Sequence, residues 1–517
     1  MKVITLVRVI FHRYTIPIFQ NRSLSILLTT LIFWLLIFSC SSQISSASVK
    51  DLSATPIRST NLSNSIISAF HPRIAVEDAN LYAVWTDMSV GNGDISFAKS
   101  QDNGSTFGKT INLSSNSGRS DLANIAANGN DVYVAWQDAS YGNFSILFTK
   151  STDGGITFSK PIKLTNNTIL AQFPQLVISN NQIYLIWTEC IKGAYPDCNE
   201  LFFTRSLDNG TTFSKPINLS HGVGGAGAAQ IFAQDNSIFV VWLAKPMSDA
   251  GGNMVYFTKS IDNGETFGNN TILSIDENQS NSCPCSYPSI AASGKDVYAL
   301  WQSNNNQILF RRSIDEGRSF YNADKLSGSE FIASKPQMNA VHNYIYLIWD
   351  EHRPRDSTSN QLIFVRSTDD GATFDRARIL SNESVDAQIA TWQQGNIVNV
   401  VWSDLSNGSA DILMTTSYDN GTSLVKPLNI SNNLGNSNLA QELIVGNRVY
   451  VVWTDNSPSN FSHLDVLFAV VPVHNMIQQR YTMPEFSSSS LPLVASVMVL
   501  IILLMLISDK RSKISYK

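Results

Sequence analysis

Short apolar runs that end in tryptophan punctuate this chain at a nearly fixed interval. VYVAW, IYLIW, IFVVW, VYALW and VYVVW close on Trp136, Trp187, Trp242, Trp301 and Trp453, and related runs close on Trp85, Trp349 and Trp402. Successive tryptophans lie 51, 51, 55, 59, 48, 53 and 51 residues apart, so one supersecondary unit occupies about fifty residues. Each run is apolar at consecutive rather than alternate positions, which requires a strand covered on both faces. The second unit reads as four strands: A at 124–127, B at 132–136, C at 146–150 and D at 161–164. Asn-Gly and Asp-Gly pairs and Asn-rich loops between them suit antiparallel hairpins. A four-stranded sheet buried on both sides and repeated radially is a propeller blade packed between two neighbours. The pattern predicts an all-β fold, a β-propeller, and shows no long amphipathic helix.

Between strands C and D stands an octapeptide, which recurs as SQDNGSTF, STDGGITF, SLDNGTTF, SIDNGETF, SIDEGRSF, STDDGATF and SYDNGTSL. Its aspartates are Asp102, Asp153, Asp208, Asp262, Asp315, Asp369 and Asp419. An aspartate there can accept turn amides, the glycine can take positive φ, and the final Phe can tuck between strands, which predicts a self-satisfied hairpin. The last unit has strands A, B and C but neither octapeptide nor strand D. Residues 55–63, TPIRSTNLS, resemble the D strands KPINLS and KPLNIS and have no blade of their own. Lent to the last unit, they close an eight-bladed ring; seven blades is the alternative if one unit is degenerate.

These octapeptides match the pattern S-x-D-x-G-x-T-F and so resemble the Asp-box, or BNR, repeat of sialidase-like propellers, over about four-fifths of the chain. The resemblance implies that the octapeptides crowd one rim and that ligand binds on the opposite face, among the D-to-A and B-to-C loops. Candidate ligand-binding residues on that face are Arg73, Arg119, Tyr195, Arg353 and Arg355. A sialidase would need three arginines converging on a sugar carboxylate, a tyrosine paired with a glutamate, and an acid-base aspartate. Arg73 sits in HPRIA, faintly like the family's first-blade arginine motif, but Ala75 stands where that motif has proline. No tyrosine–glutamate pair is marked, and no catalytic residue is assigned. Strand B also ends repeatedly in a carboxylate, at Asp87, Asp138, Glu189, Glu351, Asp404 and Asp455. Repetition around the ring suits turn capping; catalysis needs only one or two such groups. The expected function is a binding or adhesion module for a glycan or an envelope protein, with an exo-acting glycoside hydrolase of sialidase type as the alternative.

A net charge of −5 without charged runs offers nothing to a polyanion, so nucleic acid is not an expected partner. Residues 1–47 read as a secretory signal or signal anchor, with Lys2, Arg8, Arg13 and Arg22 ahead of an apolar stretch at 24–38. The propeller is expected at 48–472. A polar spacer at 473–490 follows, then a transmembrane helix at 491–508 and a basic cytoplasmic tail at 509–517, which places the repeats outside the cell. Pro484, Glu485 and Phe486 ahead of that apolar span resemble the PEF-type sorting signals of archaeal surface proteins, although Ser487 stands where many have glycine. A monomer at the cell surface, held by its carboxy-terminal helix, is the expected form. Cys190 and Cys198 bracket one loop and suit a local disulfide. Cys283 and Cys285 read either as a tight disulfide or as a thiol pair for a metal, but no second Cys or His pair stands nearby, so neither metal nor cofactor is expected. Glycan-acceptor sequons are abundant, among them Asn61, Asn112, Asn143, Asn218, Asn278, Asn382, Asn429 and Asn460.

Overall fold

The computed structural model describes residues 57–472, apart from 90, 166–167, 192–198, 222, 246–252, 275–287, 304, 355, 392–395 and 457–462. Tyr195, Arg355, Cys198, Cys283 and Cys285 lie outside the described residues, as do the leader, the spacer with its PEF motif, and the apolar segment at 491–508. Among the described residues there is no helix long and apolar enough to cross a membrane.

Every described strand belongs to one of eight four-stranded antiparallel sheets. In blade 2 the strands are A at Ser120–Asn128, B at Asp131–Asp138, C at Ser145–Ser151 and D at Ile162–Lys163. Strand A of each blade packs against strand A of the next, and that of blade 8 packs against that of blade 1, so the A strands line the centre of a closed ring. Blade 8 takes its fourth strand from the other end of the chain: Thr60 pairs with Phe468 and Asn61 with Leu467. The eight-bladed expectation and the closing strand at 55–63 are both met.

The all-apolar strand B follows from this geometry. Tyr82 and Val84 of blade 1 pack with Val132, Val134 and Trp136 of blade 2, whereas Leu81, Ala83 and Trp85 pack with Tyr450 and Val452 of blade 8. Alternate side chains thus serve cores on either side, and the strand has no solvent face. The eight tryptophans are among the largest fully enclosed side chains.

Turn chemistry repeats as regularly. In blade 3, Asp208 accepts the Thr212 amide at 2.8 Å and hydroxyl at 2.6 Å, while the Ser206 hydroxyl donates to it at 2.8 Å. The Gly210 amide donates back to Ser206 Oγ at 2.8 Å. The Thr212 hydroxyl and amide, helped by Ser206, hold the Asp208 carboxyl down at about 2.

The expectation of a self-contained hairpin needs one correction. The final Phe of each full octapeptide reaches the preceding blade instead of its own strands: Phe158 meets Phe97 at 4.8 Å, Phe213 meets Phe148 at 4.8 Å, and Phe107 meets Phe468 at 5.1 Å across the ring closure. A cation from the preceding strand C also crosses, as where Lys99 Nζ donates to Gly154 O at 2.6 Å and Lys150 Nζ to Asn209 O at 2.9 Å. The octapeptide is therefore a latch between blades as well as a turn.

The repeated NLS and NIS sequons are also structural. Asn112 Oδ1 accepts the amides of Ser114 and Ser115 at 3.1 and 2.8 Å, and its Nδ2 donates to Asp94 at 2.9 Å. Ser114 Oγ accepts the Ile95 amide at 3.0 Å. Asn218 with Ser220, and Asn429 with Ser431, repeat the arrangement. Asn61 with Ser63 does the same, so four of the acceptor asparagines have their amide oxygen committed to tying the outer strand into the next loop.

Candidate ligand face

Strand register separates the two ends of the ring. Asp87 at the end of strand B pairs with Ala69 at the start of A and with Asp94 at the start of C, while the octapeptide follows Ser100 at the far end of C. The strand-B carboxylates and the D-to-A loops therefore share the end opposite the octapeptides.

Near that end most A strands carry a bulge. The ladder skips between Phe70 and Arg73, Asp121 and Asn124, Gln172 and Gln175, Ser334 and Gln337, and Asn438 and Gln441. The bulged residues His71, Leu122, Phe173, Lys335 and Leu439 take positive φ between 51° and 57°. A bulge re-aims a side chain where the ladder stops, and here it delivers different groups to the channel mouth. Phe173 and Leu439 are exposed.

Across blades 1 and 2, Asp121 binds His71 Nδ1 at 3.0 Å, the Thr86 hydroxyl at 2.9 Å and Arg119 at 2.8 Å. Burial alone would raise the Asp121 carboxyl, but the bonds from His71 and Thr86 outweigh it and hold it at about 2. Arg73 lies two residues beyond His71, and its guanidinium donates to its own neighbour's carbonyl, Pro72 O, at 3.0 Å. Burial lowers its pKa from the ordinary value.

Across blades 6 and 7 the chemistry differs. Lys335 donates to Val385 O and to Asp386 at 2.8 Å, and stands 3.9 Å from Asp350. The side chain of Asp350 is fully enclosed, and burial raises its carboxyl to about 7 against the pull of Lys335. Arg353, at the end of strand B of blade 6, is exposed and lies over the Phe331 ring at 5.7 Å.

The strand-B carboxylates divide into two kinds. Asp138 accepts the Trp136 indole at 3.1 Å, Ser120 at 2.7 Å, Asn116 at 2.8 Å and the Ser140 amide at 2.8 Å. Asp404 and Asp455 are bound likewise, by Trp402 and the Ser406 amide and by Trp453 and Asn433. Burial would raise Asp138 and Asp404, but the serine donors hold both below the usual range. Glu189 and Glu351 accept the indoles of Trp187 and Trp349 at 2.7 and 2.8 Å, and burial raises both, Glu189 to about 6. These glutamates stand in blades 3 and 6, each beside an irregular insert. Cys190, at the start of the blade 3 insert, is disulfide-bonded.

The described sequence-derived candidates come from different blades. Arg73 and Arg119 belong to the blade 1–2 sector, with Arg119 committed to Asp121, and Arg353 belongs to blade 6. His71, Asp121, Lys335 and Asp350 were missed. For His71 and Lys335 the signal was the segment opening six of the A strands, AFHPR, SDLAN, AQFPQ, ASKPQ, SVDAQ and SNLAQ, whose third residue varies while its neighbours recur. A cavity of about 430 Å³ lies away from this mouth, against Leu273 of blade 4 and Trp301, Arg311 and Lys325 of blade 5.

No family model and no curated protein matches the chain. Solved structures that resemble it include a PL25 polysaccharide lyase, an ulvan lyase bound to -[GlcA(1-4)Rha3S]-, at 10% identity over 81% of this chain and 95% of that one, with a TM-score of 0.45. Polysaccharide lyase Uly1 matches at 8% identity over 68% and 89% of the two chains, with a TM-score of 0.44. The sialidase of Trypanosoma rangeli with the inhibitor DANA matches at 11% identity over 80% and 56%, with a TM-score of 0.35. The class defined is an all-β eight-bladed propeller, and the likeness extends to fold alone.

Proposed function

We propose that this protein is an Asp-box propeller held at the cell surface, whose face opposite the octapeptides binds a glycan or an envelope protein without turning it over. The supporting observation is where the repeat breaks. The aspartate turn of the octapeptide recurs from blade to blade, whereas the other end presents different polar and aromatic groups in different blades: His71, Arg73 and Arg119 in one sector, Glu189 and Phe173 in a second, Lys335, Glu351 and Arg353 in a third. Cations, carboxyl groups and exposed aromatic surface suit recognition of a polyhydroxylated or mixed-charge partner.

Hydrolysis is less well supported. Asp138, Asp404 and Asp455 are consumed by structural bonds, and Asp350, whose carboxyl sits near neutrality, is enclosed. A general acid must reach the glycosidic oxygen. The leader at 1–47 and the apolar segment at 491–508 support export and anchoring, and exposed Asn143 and Asn382 are the sequons proposed to carry glycan.

The test is a glycan panel probed with the parent, Arg73→Ala and Arg353→Ala, with hydrolysis of a fluorogenic sialoside followed in parallel. Binding that weakens at least about tenfold in Arg353→Ala without parent turnover supports the proposal. Parent turnover that vanishes in Arg73→Ala overturns it in favour of a sialidase-type hydrolase.

A further inference from the structure

Both described chain ends lie at the octapeptide end of the ring. Strand C of blade 8 finishes at Pro472, which pairs with Arg448 at the start of strand B, and residues before Thr60 run alongside it at the same end. Beyond Pro472 the sequence continues to Lys517 and includes the uncharged stretch at 491–507.

The same end carries an asymmetric set of exposed aliphatic side chains. Leu207, Ile261 and Ile314 occupy the second octapeptide position of blades 3, 4 and 5, at 55%, 56% and 41% exposure, and Ile156 of the blade 2 octapeptide is 63% exposed. In blades 1, 6 and 7 the second position holds Gln101, Thr368 and Tyr418. In an eight-membered ring blade 4 stands diametrically opposite blade 8, so the aliphatic sector faces the chain exit across the channel. Exposed Lys160 and Lys215 follow the octapeptides of blades 2 and 3. Two acids of this rim are paired, Glu265 with Arg205 at 3.1 Å and Glu316 with Arg318 at 3.4 Å.

We propose that the octapeptide rim of blades 2–5 rests on a lipid surface, so that the ring lies flat and turns its ligand face away from the membrane. This rests on the anchoring proposed above. Four scattered aliphatic side chains and two lysines bind a bilayer weakly on their own. A tether on the opposite blade keeps them at high local concentration beside it, which makes a weak contact sufficient. Without the rim contact, a ring hanging from blade 8 alone has no preferred tilt.

The experiment uses the full chain in vesicles of phosphatidylcholine and phosphatidylglycerol. A benzophenone side chain is placed at Ile261 or, separately, at Leu434, which is 87% exposed in the loop between blades 7 and 8 at the ligand end. Irradiation should give roughly tenfold more lipid adduct from position 261 than from position 434. The probe at 261 should lose that excess when Leu207→Ser and Ile314→Ser are combined. Equal adduct from both positions, or protein–protein adduct from position 261, overturns the rim contact while flotation with vesicles leaves anchoring intact. A chain that does not float with the vesicles overturns both.

Discussion

Between blades 2 and 3, and between blades 7 and 8, equivalent strands meet through unlike chemistry. In the first seam Phe148 receives Phe213 edge-on at 4.8 Å, and Lys150 Nζ reaches Asn209 O at 2.9 Å and Thr211 Oγ1 at 2.7 Å. In the second, blade 8 has no octapeptide, and the residues that would receive one are replaced. Thr416 stands where Lys150 does, and Asn399 stands where Tyr133 does. Thr416 Oγ1 donates to Asn399 Oδ1 at 2.5 Å, and Asn399 Nδ2 donates to Glu442 Oε2. Burial raises the Glu442 carboxyl to about 8. The comparison shows that the octapeptide is half of a two-blade device: where one half is missing, the facing blade has changed too, and a buried polar chain fills the gap.

The largest effect belongs to the latch. Gly264 has φ +76°, and a Cβ there would stand 2.4 Å from Phe203 Cζ and 2.7 Å from Cε1 of the same ring in the preceding blade. Gly264→Ala should destabilise by about 2 to 5 kcal/mol, combining overpacking with a left-handed backbone. Gly446 has φ +59° with nothing within 4 Å, so Gly446→Ala should cost only about 1 to 2 kcal/mol. Denaturant unfolding measures both, and equal losses would show that the seam does not press on the glycine.

Intermediate effects come from pH, with opposite signs for the two seams. The octapeptide aspartates Asp102, Asp153, Asp208, Asp262, Asp315 and Asp369 have folded pKa values below their unfolded ones, Asp208 at about 2, so their stabilisation is present above about pH 4 and is lost as pH falls toward 2. Glu442 is the reverse case. It is protonated in both states below the unfolded value near 4.5; between there and about 8 the unfolded chain ionises and the folded one does not. Stability should therefore fall as pH rises through that window, by up to about 1.4 kcal/mol per pH unit. Buried Asp350 and Glu189 act in the same direction, so the informative quantity is the difference between the parent and Glu442→Gln. The variant should lose less stability between pH 5 and pH 8 in thermal melts, and parallel curves would mean that Glu442 is already ionised in the fold.

Much of this ring was legible because a blade solves a local problem the same way each time. A strand such as VYVAW needs two covered faces, and Asp208 needs its own turn amides; both facts are visible within ten residues. The reach of Phe213 to Phe148 was not visible, because a Phe ending a turn carries no mark of which blade it meets. The mouth was obscured for a related reason. A bulge displaces His71 and Lys335 from the register that alternation would assign them, and Asp350 reads as one more polar residue after tryptophan until its enclosure is seen. Arg353 was recognisable as an exposed cation in an insert, but its separation from Arg73 depends on blade positions that only the closed ring supplies.

The smallest expected effect tests whether the crossing cation adds much to the latch. Lys150 is solvent-exposed where it donates to Asn209 O, so water competes for both partners and the side chain loses rotamer freedom when it bonds. Lys150→Met keeps the aliphatic stem against the seam and should cost less than about 1 kcal/mol. Arg205 does the same task one seam onward with its side chain only 14% exposed, donating to Asp262 O at 3.2 Å and Asn263 O at 2.9 Å. Carbonyls stripped of water and then left unbonded make Arg205→Met the costlier change, by about 1 to 3 kcal/mol. Urea midpoints of the two variants compare them directly. If Lys150→Met costs as much as Arg205→Met, the ammonium is an integral part of every latch, and Thr416 marks a weakness that the Asn399–Glu442 chain must offset; if both are near zero, aromatic packing alone holds the blades together.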